Sequence, residues 1–183
     1  MDEKRFIKTF ANQNEYEEQK NTLMQTPCVV KVGDDIIYHV PSVDVTIGQY
    51  RKATFFCDYP VTIPQEVRAY VSTYIEPNGR VNLRQLTDTI PAHTGVYLEL
   101  KEEYEPCTVK FFYKATQMSD ITGNIFYGTV VDTYIEGPAY ILTARNGVVK
   151  FYPVGLAYDA NGNPGTTHFL NKAYKVYMKN VEW

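Results

Sequence analysis

Tyr140-Ile-Leu-Thr-Ala-Arg-Asn-Gly-Val-Val-Lys-Phe-Tyr152 is the stretch whose reading decides the fold. Asn146-Gly147 accepts positive φ at both central positions of a two-residue turn, and such a turn twists in the same sense as the strands it joins. Closing a hairpin there sets Leu142 opposite Phe151, Thr143 opposite Lys150 and Ala144 opposite Val149, with Tyr140 beside them. One face is then apolar and the other mixed, the pattern of a half-buried antiparallel sheet. This register predicts Leu142 and Phe151 as buried neighbours, with Thr143 and Lys150 more exposed. Farther on, Ala173-Tyr-Lys-Val-Tyr-Met178 alternates again and returns to the same sheet.

Upstream of the hairpin, short strands come at intervals: Thr54–Cys57, Val67–Ile75, Val96–Leu100, Thr108–Tyr113 and Ile125–Val131. Turn signals separate them, among them Asp58-Tyr-Pro60, Glu76-Pro-Asn-Gly79, Pro91–Gly95 and Gly123-Asn124. Short strands with Gly/Pro punctuation and no second strong helix predict a mainly β fold, an antiparallel β-sandwich or barrel over residues 53–183. Residues 41–52, where Val43, Val45 and Ile47 alternate, read as a linker or a connecting strand.

The N-terminus has a different character. Phe6-Ile-Lys-Thr-Phe10 reads as a strand, and Asn12 with Glu15 three residues on is a variant of the capping box. A helix follows over Glu15–Met24, with Tyr16, Leu23 and Met24 on one face and acids in the first turn. Pro27 stops it. Cys28–Val32 and Ile36–Val40 then form a hairpin across Gly33-Asp-Asp35. Residues 1–40 are thus a small β-α-β-β module, too small to bury much core of its own. Its apolar residues Phe6, Phe10, Tyr16, Leu23 and Met24 read as a docking face.

Composition narrows the function classes. An apolar share of 44% is ordinary, whereas 16 Tyr and 9 Phe against one Trp suit half-wet sheet faces and, more sharply, a recognition surface. A net charge of −3 with scattered lysines speaks against binding a nucleic-acid backbone, and Lys172, Lys175 and Lys179 read as sheet-edge lysines. No apolar run is long enough to span a membrane, and Met1–Phe6 carries no signal-peptide pattern, so the expectation is a chain made in the cytosol. Cys28, Cys57 and Cys107 are far apart and odd in number, which predicts free thiols rather than a disulfide framework or a zinc site.

Residues with chemical potential read as structural. His39, His93 and His168 fall in three separate turn or strand-end contexts, and no serine or cysteine carries a nucleophile signature. Glu99, Glu102, Glu103 and Glu105, with Lys101 among them, read as a solvated hairpin tip. Asp159-Ala-Asn161-Gly-Asn163 looks like the first half of a calcium loop, but its glycine comes one position early, Pro164 stands where a glycine belongs, and no glutamate closes it. The reading is a non-enzyme with no catalytic residues, no cofactor and no metal site.

Two resemblances add to this. Ile63-Pro64, Ala69-Tyr-Val71, Ile90-Pro-Ala-His-Thr-Gly-Val-Tyr-Leu98, the hairpin and Leu170-Asn-Lys-Ala-Tyr174 resemble the C-terminal β-rich module of Bacteroidetes surface proteins, notably leucine-rich-repeat adhesins. That resemblance implies a β-sandwich used for display or attachment, although the usual hosts are secreted and this chain shows no leader. Phe6-Ile-Lys-Thr-Phe-Ala-Asn-Gln-Asn-Glu-Tyr-Glu17, Pro27-Cys-Val-Val and Ile36-Ile-Tyr38 are similar to N-terminal modules of virion proteins from crAss-like phages of gut Bacteroidetes. Together they imply a head-fibre or capsid-decorating protein of a virion, partnered by other capsid or fibre subunits and by further copies of itself, with a host surface glycan as a further partner. A bacterial cell-surface adhesion or carbohydrate-binding module is the alternative, and a tail or collar component the third.

Overall fold

The computed structural model describes residues 7–23, 29–37, 42–76, 78, 80–114 and 119–179. The N-terminal unit comprises β1 (Ile7–Phe10), α1 (Gln13–Leu23), β2 (Val29–Val32) and β3 (Asp35–Ile37). Asn12 caps α1, its Oδ1 accepting the amides of Asn14 and Glu15 at 3.1 Å each. Glu15 answers through Oε2 to the amide of Ala11 at 3.0 Å, one residue before the cap, so two orphan sets of donors are satisfied reciprocally. The helix is the crossover between β1 and β2, which pair in parallel, and β3 folds back on β2. Gly33 turns that hairpin at φ 58° and donates its amide to Phe10 O at 3.0 Å, locking the turn to the end of β1.

Two residues of the docking face expected from the sequence lie inside the unit. Phe10 and Tyr16 are buried, and they pack with Val30 and Val32 into a small core inside the unit, the two rings 5.9 Å apart. Helix and sheet each have an apolar side, and the nearest cover for one is the other. Leu23 is the last residue of α1, whereas Phe6 and Met24 lie outside the described residues, as do His39 and Cys28.

The chain continues through β4 (Ser42–Ile47), β5 (Lys52–Cys57), β6 (Val61–Thr62), β7 (Val67–Ile75), β8 (Val81–Gln85), β9 (Thr89–Ile90), β10 (Thr94–Leu100) and β11 (Cys107–Phe112). The last third supplies β12 (Phe126–Gly128), β13 (Thr133–Glu136), β14 (Ala139–Arg145), β15 (Val148–Val154), β16 (Leu156–Tyr158), β17 (Pro164–Thr166), β18 (His168–Asn171) and β19 (Val176–Met178). The result is a mainly β, antiparallel sandwich. Residues 42–47 belong to it: β4 pairs with β11 from Ser42↔Phe112 to Ile47↔Cys107. The sandwich therefore begins at Ser42 rather than at residue 53.

Its middle layer is the sheet β5-β10-β7-β8. On one face Val96, Leu98 and Leu100 of β10 join Phe55, Val67, Ala69 and Val71, and the β4–β11 ribbon covers them with Val45, Ile47, Val109 and Phe111. The Phe55 and Phe111 rings stack across this interface at 4.4 Å. On the other face Tyr97 of β10 meets Phe126, Tyr140, Phe151, Val176 and Met178 from the sheet β12-β19-β14-β15. Strand β10 is thus buried on both sides, and it lacks the polar face that a two-layer sandwich leaves to water. Gly95 makes the second contact possible, because a Cβ there would stand 2.8 Å from Phe126 O. A bulge between Ser72 and Tyr74 shifts β7 by one residue, so Ile75 enters the second core although Val67, Ala69 and Val71 lie in the first.

The hairpin has the register read from the sequence, with Leu142↔Phe151, Thr143↔Lys150 and Ala144↔Val149. Asn146 and Gly147 take φ 51° and 78°, as the mirror-image turn requires. Phe151 is buried and Lys150 exposed, but Leu142 is only half-buried. Burial fades along β14 from Tyr140 through Leu142 to Ala144 as the hairpin tip moves outward. Strand β19 joins this sheet through Tyr140↔Met178 and Ile141↔Tyr177. Among the described residues no helix is long and apolar enough to cross a membrane.

Phe151→Ala should lower the unfolding free energy by about 3–5 kcal/mol in urea melts, and Lys150→Ala by less than about 0.5 kcal/mol. Equal losses would contradict the register, since a one-residue slip exchanges the faces. Gly95→Ala should cost about 1–3 kcal/mol through overpacking.

Candidate functional site

Several of the residues singled out for chemistry are used by the fold. His93 sits in a turn at φ 55°, its amide donating to Cys57 O at 2.8 Å, and its side chain is exposed. His168 is exposed on β18 opposite Glu136. Glu99 accepts the Tyr97 hydroxyl at 3.0 Å and is flanked across the sheet by Lys52 and Arg68. Burial, then Glu99, push the Tyr97 phenol well above its ordinary range.

Glu102, Glu103 and Glu105 do not cap a hairpin. Strands β10 and β11 belong to different layers, and these exposed carboxylates ride on the turn that carries the chain from one to the other. Arg51 Nη2 fixes that turn by donating to Lys101 O and to Tyr104 O, the latter at 2.8 Å.

The loop from Asp159 to Asn163 spends its carboxylate on itself. Asp159 Oδ1 accepts the amides of Asn161 and Asn163, each at 2.8 Å, and Oδ2 accepts Asn163 Nδ2 at 2.9 Å. The Asn163 side-chain amide, then its backbone amide, hold the Asp159 carboxyl below its usual range. Among the described residues no three His, Cys, Asp or Glu side chains gather as a metal site would require.

Cys57 is buried, and burial pushes its thiol up to about 11, whereas Cys107 is half-buried. Burial likewise raises the neighbouring Tyr59 phenol, with Cys57 the next cause.

A concave site of about 190 Å³ opens where the hairpin overhangs the β4 and β5 edge of the sandwich. Thr46, Tyr50, Lys52 and Thr54 line one side, and Leu142, Thr143 and Val149 the other. Lys175 reaches into the same space from the turn before β19. The backbone around Lys175 is held tightly. Asn171 Nδ2 donates to Lys175 O at 3.1 Å, and the Val176 amide donates to Thr54 Oγ1 at 3.2 Å. Tyr174, at φ 60°, donates its amide to Thr129 O and accepts the Phe56 amide. Lys175 is exposed, although protein near its ammonium group lowers its pKa by partial desolvation.

The close spacing of Lys172, Lys175 and Lys179 hid this difference. Lys172 pairs with Asp132 at 2.7 Å, while Lys175 and Lys52 have no ion pair within 4.0 Å among the described residues. No sequence signal links Lys52 to Lys175, which lie more than half the chain apart.

The outer face of the β12-β19-β14-β15 sheet carries an aromatic row. Tyr127 stacks on Tyr177 at 5.9 Å, Phe169 meets Tyr177 edge-on, and Arg145 lies 4.5 Å over the Tyr152 ring. Comparison of the chain with protein-family models, with curated proteins and with solved structures gave no match.

Because the thiolate is the reacting species, alkylation of the native protein at pH 8 should modify Cys107 well before Cys57. Equal rates would contradict the burial of Cys57. The amide shifts of Asn161 and Asn163 should titrate with a midpoint below about 3.9, the ordinary aspartate value. Asp159 therefore stabilises its loop above that ordinary value and loses the contribution as pH falls through the lower, folded one. Because the Asp159 carboxylate is taken up by its own loop, a chelator should leave the melting temperature unchanged, and a drop of several degrees would point to a bound ion instead.

Proposed function

We propose that this chain is a structural protein of a bacteriophage particle, a head-fibre or capsid-decorating component that attaches through its N-terminal unit and displays the sandwich outward. The observation that carries the reading is the division of the apolar core. Phe10, Tyr16, Val30 and Val32 cluster separately from the two cores of the sandwich. A small unit with its own core, preceding a larger sandwich, suits a protein that grips with one part and presents the other. The sequence resemblances to phage virion modules and to Bacteroidetes display modules support the same division.

With Phe10 and Tyr16 packed inward, attachment falls to other surfaces of the unit. Strands β1 and β3 are the outer strands of its sheet. Outer strands present unpaired amides and carbonyls, a ready template for a strand from a capsid subunit or a second copy. Burial of so few residues also leaves the unit marginal alone, since domains under about 40 residues usually need a staple or a partner. Docking would supply that partner.

A cell-surface adhesion or carbohydrate-binding module is the second reading, and the lysine-bearing groove favours it. Both readings make the chain a non-enzyme.

A mass-spectrometric inventory of purified particles should find the chain in stoichiometric amount, and its absence would overturn the virion reading. Deleting residues 1–41 should leave a folded β-rich protein by circular dichroism that no longer joins particles. Assembly of the truncated protein at full occupancy would place the anchor in the sandwich instead.

A further inference from the structure

We infer that the groove between the hairpin and the β4–β5 edge binds a carboxylate-bearing sugar residue of an acidic polysaccharide. The inference does not depend on whether a particle or a cell surface carries the chain. Lys52 and Lys175 both line one concavity, and neither has an ion pair within 4.0 Å among the described residues. Glu99, opposite Lys52 by sheet register, accepts the Tyr97 hydroxyl and is not among the residues that line the groove. Both lysine side chains are exposed, so a ligand can reach them from solvent. The backbone at Lys175 is held from both sides, by Asn171 on Lys175 O and by Thr54 on the Val176 amide. A ligand anion is the group that such a lysine lacks.

The rest of the lining selects the kind of anion. Tyr50 and Thr143 offer hydroxyls, while Leu142 and Val149 offer an apolar side. A pyranose carries both characters, with hydroxyls around its rim and C–H bonds on its face, and a uronic acid adds one carboxylate. No arginine lines the groove, so a bidentate fork for a phosphate is not offered there, and the simple-anion arm of the test separates a bare anion from a sugar carboxylate. Its volume of about 190 Å³ lies below the ~300–1,000 Å³ of sites that enclose a drug-sized molecule. One sugar ring fits that scale, with the neighbouring residues of the polymer running out toward solvent.

The test uses the full chain and trigalacturonate, titrated by calorimetry at low salt and mapped by amide shifts. Its fully methyl-esterified form is the matched neutral probe, and sodium sulfate is the simple anion. Trigalacturonate should bind and shift the amides of Thr143 and Val176, and the ester should bind at least ten-fold more weakly. Lys175→Gln should weaken binding at least ten-fold without lowering the melting temperature, whereas Lys175→Arg should retain most of the affinity. Should Lys175→Gln fail to fold, Lys52→Gln carries the same expectation. No binding at millimolar sugar, equal affinity for the ester, or unchanged affinity in both glutamine variants would overturn the assignment. Sulfate binding as tightly as trigalacturonate would also overturn it, leaving an ion site rather than a sugar site.

Discussion

Strand β10 has no solvent face, and the remainder of the sandwich is arranged to satisfy that condition. From Thr94 to Leu100 only Glu99 is less than buried. Such a strand has to find apolar cover on both sides while its backbone pairs laterally, and here β5 and β7 supply the pairing. The two covers come from distant parts of the sequence. The ribbon of β4 and β11 closes one side around Phe55 and Phe111, and the sheet built on the Asn146-Gly147 hairpin closes the other around Phe126, Tyr140 and Phe151. Contacts of this kind join residues far apart in the chain, so the sandwich folds as one non-local unit and the cost of loop closure falls on it as a whole.

The same arrangement explains where the surface is free to do something. The middle layer is committed to packing, and its few polar buried groups are tied into hydrogen bonds, as with Thr54 and the Val176 amide. Function is therefore left to what the outer layers expose: the aromatic row from Tyr127 to Tyr152, the groove beside the hairpin, and the edges of the N-terminal sheet. These three surfaces are built on rigid strands rather than on long loops, which favours recognition by preformed shape. The N-terminal unit differs in kind. Its helix is well capped, yet its core is small, and completion by a partner would suit the attachment proposed for it.

Much of the fold was legible because its signals are local. The Asn146-Gly147 turn fixes φ by residue type, so the pairing of Leu142 with Phe151 followed directly, and the Asn12–Glu15 cap announced α1 in the same way. What the sequence concealed was non-local. Strand β8, Val-Asn-Leu-Arg-Gln, is too polar to stand out, and its place depends on β7 beside it. Likewise the alternation in residues 42–47 did not say which strand it would pair with, and β11 lies far downstream. The apolar face of Tyr16 was visible, but its cover was not, since helical periodicity says that a side is buried without saying against what. The groove was the least legible feature. Lys175 looks like its neighbours in sequence, and only the fold sets it beside Lys52.

Native-state hydrogen exchange on the full chain tests this account most directly, because it reads the stability of each layer separately. If β10 is the doubly covered centre and the N-terminal unit has its own small core, amides of Val96–Leu100 should exchange only through global unfolding. Those of β1, α1 and β2 should exchange through an earlier, separate opening. Exchange of β10 at the rate of the outer strands, or a single opening shared by β10 and the N-terminal unit, would contradict it.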